Sequence, residues 1–277
     1  YNIYNILYYI KSYKSYDTII KILNVIEQNE TGAYLRYGDG DFNIMTGKSD
    51  MYNSFNSQFS NELKESVIID DKNYMKGFCL MCNKYGLLEE KMWGGNHEWP
   101  QNLCDNFYNI LLTIRNKHLT DYYSPVAFNY YITTYPEKSF ELMSRFKKLC
   151  ERDNSTVIFV GNANIRHEII KLYFNEKYDF IECPPKNSYD KINEIEKMLI
   201  DIVNKDNKYK IIIICCGVTS RCLIKRIWKN NNINRKYFLL DFGSIIDGLS
   251  GINSRQYYIE TKFNVTNYNK GFKKYIS

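Results

Sequence analysis

The sequence predicts an α/β fold, a Rossmann-like and mostly parallel sheet with helices on both faces. From Thr156 to Asp241, strand patterns and helix patterns alternate without a break, the order that builds a parallel sheet covered on both sides. The run Ile211-Ile212-Ile213-Ile214 shows no polar alternation, as a central parallel strand buried on both faces requires. Earlier in the chain, the apolar stretch Ala33–Tyr37 runs into the polar turn Gly38-Asp39-Gly40-Asp41, where two glycines let the backbone bend sharply. The 277 residues, 44% hydrophobic and 25% charged, suffice for a proper core. They read as one domain of three stretches: a half carrying the acidic turn (1–150), a Rossmann-like half (151–250) and a C-terminal extension (251–277).

Taken in order, Ile19, Ile22, Leu23 and Ile26 recur at helical spacing and predict a helix over Asp17–Gln28. The strand Ala33–Tyr37 follows. After the acidic turn, Phe42, Ile44 and Met45 predict a short helix that Gly47 stops, and residues 49–57 form a polar loop. Phe59, Leu63 and Val67 mark another helix, and Met75–Met81 a buried strand. Residues 85–100, with Trp93, His97 and Trp99, form a loop that either lines an acceptor site or closes on its own aromatics. Leu103, Phe107, Ile110, Leu111 and Ile114 predict an amphipathic helix, Tyr122–Val126 a short strand, and Pro136 the start of a helix. The regular half then reads as strand Thr156–Val160, helix Ala163–Phe174, strand Asp179–Glu182, helix Tyr189–Val203, strand Lys210–Cys216, helix Thr219–Trp228 and strand Tyr237–Asp241.

In open parallel sheets ligands bind outside the carboxyl ends of the strands. The residues placed there are Gly161-Asn162, the stretch Pro184–Ser188 with Asn187, Gly217 through Arg221, and Asp241 through Ser244. Gly161 and Gly217 lead into helices whose free amides suit phosphate oxygens, with Thr219 and Ser220 adding hydroxyls. Neither GxGxxG, GxxxxGK[ST] nor GxSxG occurs, which argues against a dinucleotide oxidoreductase, a P-loop NTPase and an α/β-hydrolase.

The acidic turn has two readings. Asp39 and Asp41, two positions apart in an oxygen-rich turn after Arg36, suit a hard divalent cation that also takes phosphate oxygens. Equally, aspartates in such a turn cap the backbone of the next helix. The net charge of +6 is spread without a basic run, which gives no support to nucleic-acid binding and is compatible with an anionic small substrate. Eight cysteines lack the spacing of a disulfide framework, and Cys79 with Cys82 reads as two core thiols rather than half a zinc site. That usage, with no signal peptide or membrane span visible, predicts a cytoplasmic protein. Starting at Tyr1, the chain is expected to be a segment of a longer polypeptide; a homo-oligomer is compatible with it.

Arg36-Tyr37-Gly38-Asp39-Gly40-Asp41-Phe42 resembles the Arg-Phe/Tyr-Gly-Asp-Gly-Glu-Phe signature of bacterial glycosyltransferases with the GT-D fold. Further stretches are similar in collinear order: Val157–Gly161 with Arg166, Cys183–Asp190, Cys216–Ser220 and Leu240–Asp247. The sequence departs from the family pattern with Asp41 for Glu, Val218 for Pro and Ser244 for His. The resemblance implies a metal-dependent transferase that moves a sugar from a nucleoside diphosphate sugar, such as a UDP-sugar, to a glycan or glycoconjugate. It implies Asp39 and Asp41 at Mn²⁺ or Mg²⁺, and Arg36, Gly38, Gly161, Asn162, Asn187, Gly217, Thr219 and Ser220 around the donor. Asp247, matching an acidic position of the signature, is the favoured catalytic base, with Asp39 and His97 as further catalytic candidates; Asp247 capping the turn at Gly248 is the alternative. Asp241 is expected to be buried and structural. A non-catalytic nucleotide-binding protein and a metal-dependent phosphohydrolase remain rival readings of the same scaffold.

Overall fold

A computed structural model of the chain describes residues 11–78, 121–252 and 263–277. Its strands are β1 (Lys11–Ser12), β2 (Gly32–Tyr37), β3 (Tyr74–Phe78), β4 (Asp121–Tyr122), β5 (Ser155–Gly161), β6 (Tyr178–Glu182), β7 (Tyr209–Ile214) and β8 (Tyr237–Asp241). The helices are α1 (Ser15–Glu27), α2 (Asp39–Met45), α3 (Ser57–Val67), α4 (Ala127–Thr134), α5 (Pro136–Cys150), α6 (His167–Tyr173), α7 (Ile192–Val203), α8 (Thr219–Lys229), α9 (Ile245–Leu249) and α10 (Val265–Ile276).

Six strands form one sheet in the order β3-β2-β8-β7-β5-β6, and every neighbouring pair is parallel. The pairing of β2 with β8, from Gly32 opposite Phe238 to Tyr34 opposite Leu240, joins the N-terminal strands to the regular half. Side chains of successive strand residues point to opposite faces, so the isoleucine run of β7 feeds two cores. Ile212 and Ile214 pack with α2, α3, α7 and α8 on one face. Ile211 and Ile213 pack with α1, α4, α5, α6, α9 and α10 on the other. Alternation alone therefore explains why a strand without polar positions belongs in the middle of this sheet.

Several element boundaries differ from the sequence reading. The helix expected from Ala163 starts at His167, because Asn162 Oδ1 accepts the Asn164 N–H at 2.9 Å and holds residues 162–165 in a turn. The helix expected from Tyr189 begins as a 3₁₀ turn, Ser188–Lys191. The strand expected over Tyr122–Val126 ends at Tyr122, and α4, α9 and α10 are additional helices. The tryptophan loop with His97, the helix expected from Leu103, and Cys79, Cys82 and Cys104 lie outside the described residues.

Lys76 sits in the edge strand β3, opposite Leu35, and is buried. Its ammonium donates to the carbonyls of Val67 and Ile69 at the end of α3, where the helix dipole favours a cation. Burial nevertheless pushes its pKa down to about 8 from an ordinary 10.5, against the pull of Asp70 and Asp71. A lysine with a depressed folded pKa penalises the fold fully below pH 8, and the penalty vanishes as pH rises to 10.5. The difference in unfolding free energy between wild type and Lys76→Met should therefore change by about 3 kcal/mol across that window, with wild type gaining as pH rises. Urea unfolding at pH 7.5 and 10.5 measures this; a pH-independent difference would contradict it.

Candidate active site

The loops at the carboxyl edge of the sheet alternate in direction. Those after β2 and β7 enter α2 and α8 on one face, while those after β5 and β8 enter α6 and α9 on the other. From β5 the chain moves outward to β6, then returns past β5 to β7. This reversal is a topological switch point, where loops splay apart and leave a crevice.

Arg221, in the first turn of α8, holds this edge together. It is 8% exposed and lies between two buried carboxylates. Nη2 donates to Asp41 Oδ2 at 3.1 Å. Nε stands 3.0 Å from Asp41 Oδ1, an electrostatic contact rather than a formed hydrogen bond. Nη1 lies 3.3 Å from Asp241 Oδ2 and donates to the Gly217 carbonyl at 2.5 Å. One guanidinium thus ties the turn after β2, the end of β8 and the turn after β7. Burial opposes its charge, but Asp241 and Asp41 outweigh that and raise its pKa.

The two aspartates of the acidic turn separate. Asp41 is buried, and its Oδ2 also accepts the Gly38 N–H at 2.8 Å, capping α2. Burial lifts its carboxyl to about 7, although Arg221 and the Gly38 amide act in the opposite direction. Asp39 is exposed in the first turn of α2. As to a divalent cation, Asp39 fits the role of ligand, since Mg²⁺-type ions use one or two carboxylates together with substrate phosphates and waters. Asp41, expected beside it, has both oxygens against Arg221 and does not fit while that contact stands. Among the described residues no group of three or more His, Cys, Asp or Glu is arranged around a metal position.

Arg36, expected around the donor, is engaged by the chain itself. Its Nε donates to Pro125 O at 2.6 Å, its Nη1 to Phe242 O at 2.8 Å, and its backbone N–H to Asp241 Oδ2 at 3.1 Å. It fastens the loop after β8 and the segment before α4 onto β2. Gly243 makes room for it: φ is +64°, and a Cβ there would lie 2.2 Å from Arg36 Nη1.

Of the other expected donor residues, Gly38 and Gly217 are open-faced, with nothing within 4 Å of where a Cβ would sit. Gly217 has φ +57°, which favours glycine in itself. The turns that carry them touch, because a Cβ on Gly40 would meet Val218 Cγ2 at 3.2 Å. Thr219, at the start of α8, is buried, and its hydroxyl has no hydrogen-bond partner. Ser220 Oγ instead accepts the Cys216 N–H. Gly161 is needed for packing, since a Cβ would stand 2.6 Å from the Phe159 ring. Asn162 braces its own turn, as above. Asn187, with φ +51°, ties the 46–56 segment to the edge by accepting from Ser54 N at 2.8 Å and donating its own N–H to Tyr52 O. Asp247 is half-buried in α9, near enough to Cys215 to be the largest charge raising that thiol's pKa. His97 lies outside the described residues.

Sequence reasoning passed over Asp50, and it placed Arg221 at the carboxyl edge without giving it a role. Asp50 fills the space beside Gly40, where a Cβ would meet its Oδ2 at 2.8 Å, and its Oδ1 accepts the N–H groups of Tyr52 and Asn53. For Arg221 a signal existed: a cation in the first turn of a helix opposes the dipole and needs an anionic partner.

A sequence model of the family described as glycosyltransferase GT-D fold matches residues 34–251. The chain belongs to that family. As a GT-D protein it is a glycosyltransferase, and its six-stranded sheet agrees with solved GT-D structures. A new glycosyltransferase (domain of unknown function 1792) from Streptococcus sanguinis superposes with a TM-score of 0.61 at 20% identity, covering 86% of this chain and 82% of that one. A structure described as the highly conserved domain of unknown function 1792 with a distinct glycosyltransferase fold gives 0.57 at 18% identity, covering 86% and 80%. No curated protein matches the sequence.

Gly243→Ala should destabilise the GT-D scaffold by about 2–4 kcal/mol, through left-handed strain and loss of the Arg36 bond to Phe242 O. Urea unfolding checks this; a change under about 0.5 kcal/mol would show that Arg36 is not held there.

Proposed function

We propose that this glycosyltransferase moves a sugar from a nucleoside diphosphate sugar, of the UDP class, onto a hydroxyl of a glycan or glycoconjugate. The observation that carries the reading is the pairing of two open-faced glycines, Gly38 and Gly217, on touching turns, each leading into the start of a helix. Helix-opening amides bind phosphate oxygens, and glycine lets a diphosphate approach the backbone. Asp39 would hold Mn²⁺ or Mg²⁺ together with diphosphate oxygens, and such an ion supplies neutralisation of the negative charge that grows on the leaving group. The acceptor oxygen forms its bond to the anomeric carbon as the bond from that carbon to the diphosphate oxygen breaks. The bonding pair leaves with UDP, and Asp247 takes the hydroxyl proton. The free thiols Cys150, Cys183, Cys215, Cys216 and Cys222 support a reducing compartment, the cytoplasm.

Two variants test this reading. Asp247→Asn should lower kcat by about a hundredfold or more with UDP affinity within twofold of wild type, since the base acts only in the transition state. Gly217→Val should weaken UDP itself by about tenfold, a cost of 1.4 kcal/mol, as measured by titration calorimetry. Unchanged UDP affinity in folded Gly217→Val, or near-normal turnover in Asp247→Asn, would overturn the corresponding assignment.

A further inference from the structure

We propose that Arg221 is a positioning residue that withholds Asp41 from the divalent cation, so that the metal is held on the protein by Asp39 alone. The inference rests on the reading of Asp39 as a metal ligand and adds to it what decides the coordination. Both oxygens of Asp41 lie against the Arg221 guanidinium, and one of them also holds the Gly38 amide. Oδ2 takes the Gly38 amide and Arg221 Nη2, while Oδ1 lies against Arg221 Nε. The guanidinium cannot drift away, because Nη1 is anchored to Asp241 Oδ2 and to the Gly217 carbonyl. A planar fork with five donors can serve both carboxylates at once, which a lysine cannot. A fixed cation at this spot also repels a second one. Asp39, two residues away and exposed, shares none of these contacts.

Arg221 therefore acts in place of a metal towards Asp41, and removing it should create a second carboxylate ligand. That consequence runs opposite to ordinary structural damage, which lowers affinity. Mn²⁺ alone, without nucleotide, is the probe, followed by the paramagnetic resonance of the free ion. Arg221→Gln should bind Mn²⁺ about tenfold more tightly than wild type, because ligand charge count sets affinity in such sites. Arg221→Lys, which keeps the charge and is the safer variant for folding, should show a smaller gain. The double variant Arg221→Gln with Asp41→Asn should return to the wild-type value. In the wild-type background Asp41→Asn should leave Mn²⁺ affinity within twofold, and Asp39→Asn should lower it about tenfold or more. Added Mn²⁺ should also raise the melting temperature of the Arg221 variants more than that of wild type.

Folded Arg221→Lys that binds Mn²⁺ no more tightly than wild type would overturn the proposal. So would Asp41→Asn losing as much affinity as Asp39→Asn. If Asp39→Asn changes nothing while the Arg221 variants gain affinity through Asp41, the role of Arg221 stands and the assignment of Asp39 falls.

Discussion

Burying a guanidinium is costly, and a chain that does so must surround it with partners good enough to offset the lost hydration. At the carboxyl edge of this sheet that requirement is met by Asp41, Asp241 and the Gly217 carbonyl around Arg221. The three partners come from three different strand ends, so satisfying one charge fixes three loops relative to one another. Removing any one partner would leave charge unpaired in a dry place, and that cost makes the arrangement rigid. The turns that carry Gly38 and Gly217 inherit the rigidity. Gly38 is held because its amide is capped by the Asp41 that Arg221 orients, and Gly217 because its carbonyl is bound directly.

A second arginine does comparable work on the opposite side of β2. Arg36 spends its donors on backbone carbonyls of the loop after β8 and of the segment before α4. Both arginines thus serve the geometry of the edge and hold its backbone dipoles in fixed positions. Preorganised dipoles of this kind suit charge that develops on a leaving group, because they need no reorganisation at the moment of reaction. The 46–56 segment, tied down by Asn187 and filled by Asp50 beside Gly40, adds a wall to the same turn.

The α/β class and the line of loops at the carboxyl edge were legible because they rest on local periodicity. The isoleucine run of β7 and the alternation after Thr156 need no tertiary knowledge. The adjacency of β2 and β8 was not legible, since pairing across two hundred residues leaves no local trace. The acidic turn carried two physical readings, cap and metal ligand; the structure shows Asp41 capping the helix and Asp39 exposed. Arg221 reads locally as one more basic residue on the amphipathic helix with Lys225 and Arg226. Only its place in the first turn, flanked by Ser220 and Cys222 that are themselves buried, marked it as paired. Asn162 shows the converse failure: helical apolar spacing from Ala163 was real, but a side-chain oxygen captured the backbone first.

Membership of the GT-D family gives the reaction class, and the proposed donor site lies at the carboxyl edge of the sheet. The most direct measurement is release of UDP from a panel of nucleotide sugars without acceptor, in the presence and absence of Mn²⁺. Slow hydrolysis of one UDP-sugar, accelerated by the metal, is the predicted result. Binding of UDP-sugars with no release from any of them, or release of phosphate from simple phosphoesters instead, would contradict a transferase that uses this edge as its donor site.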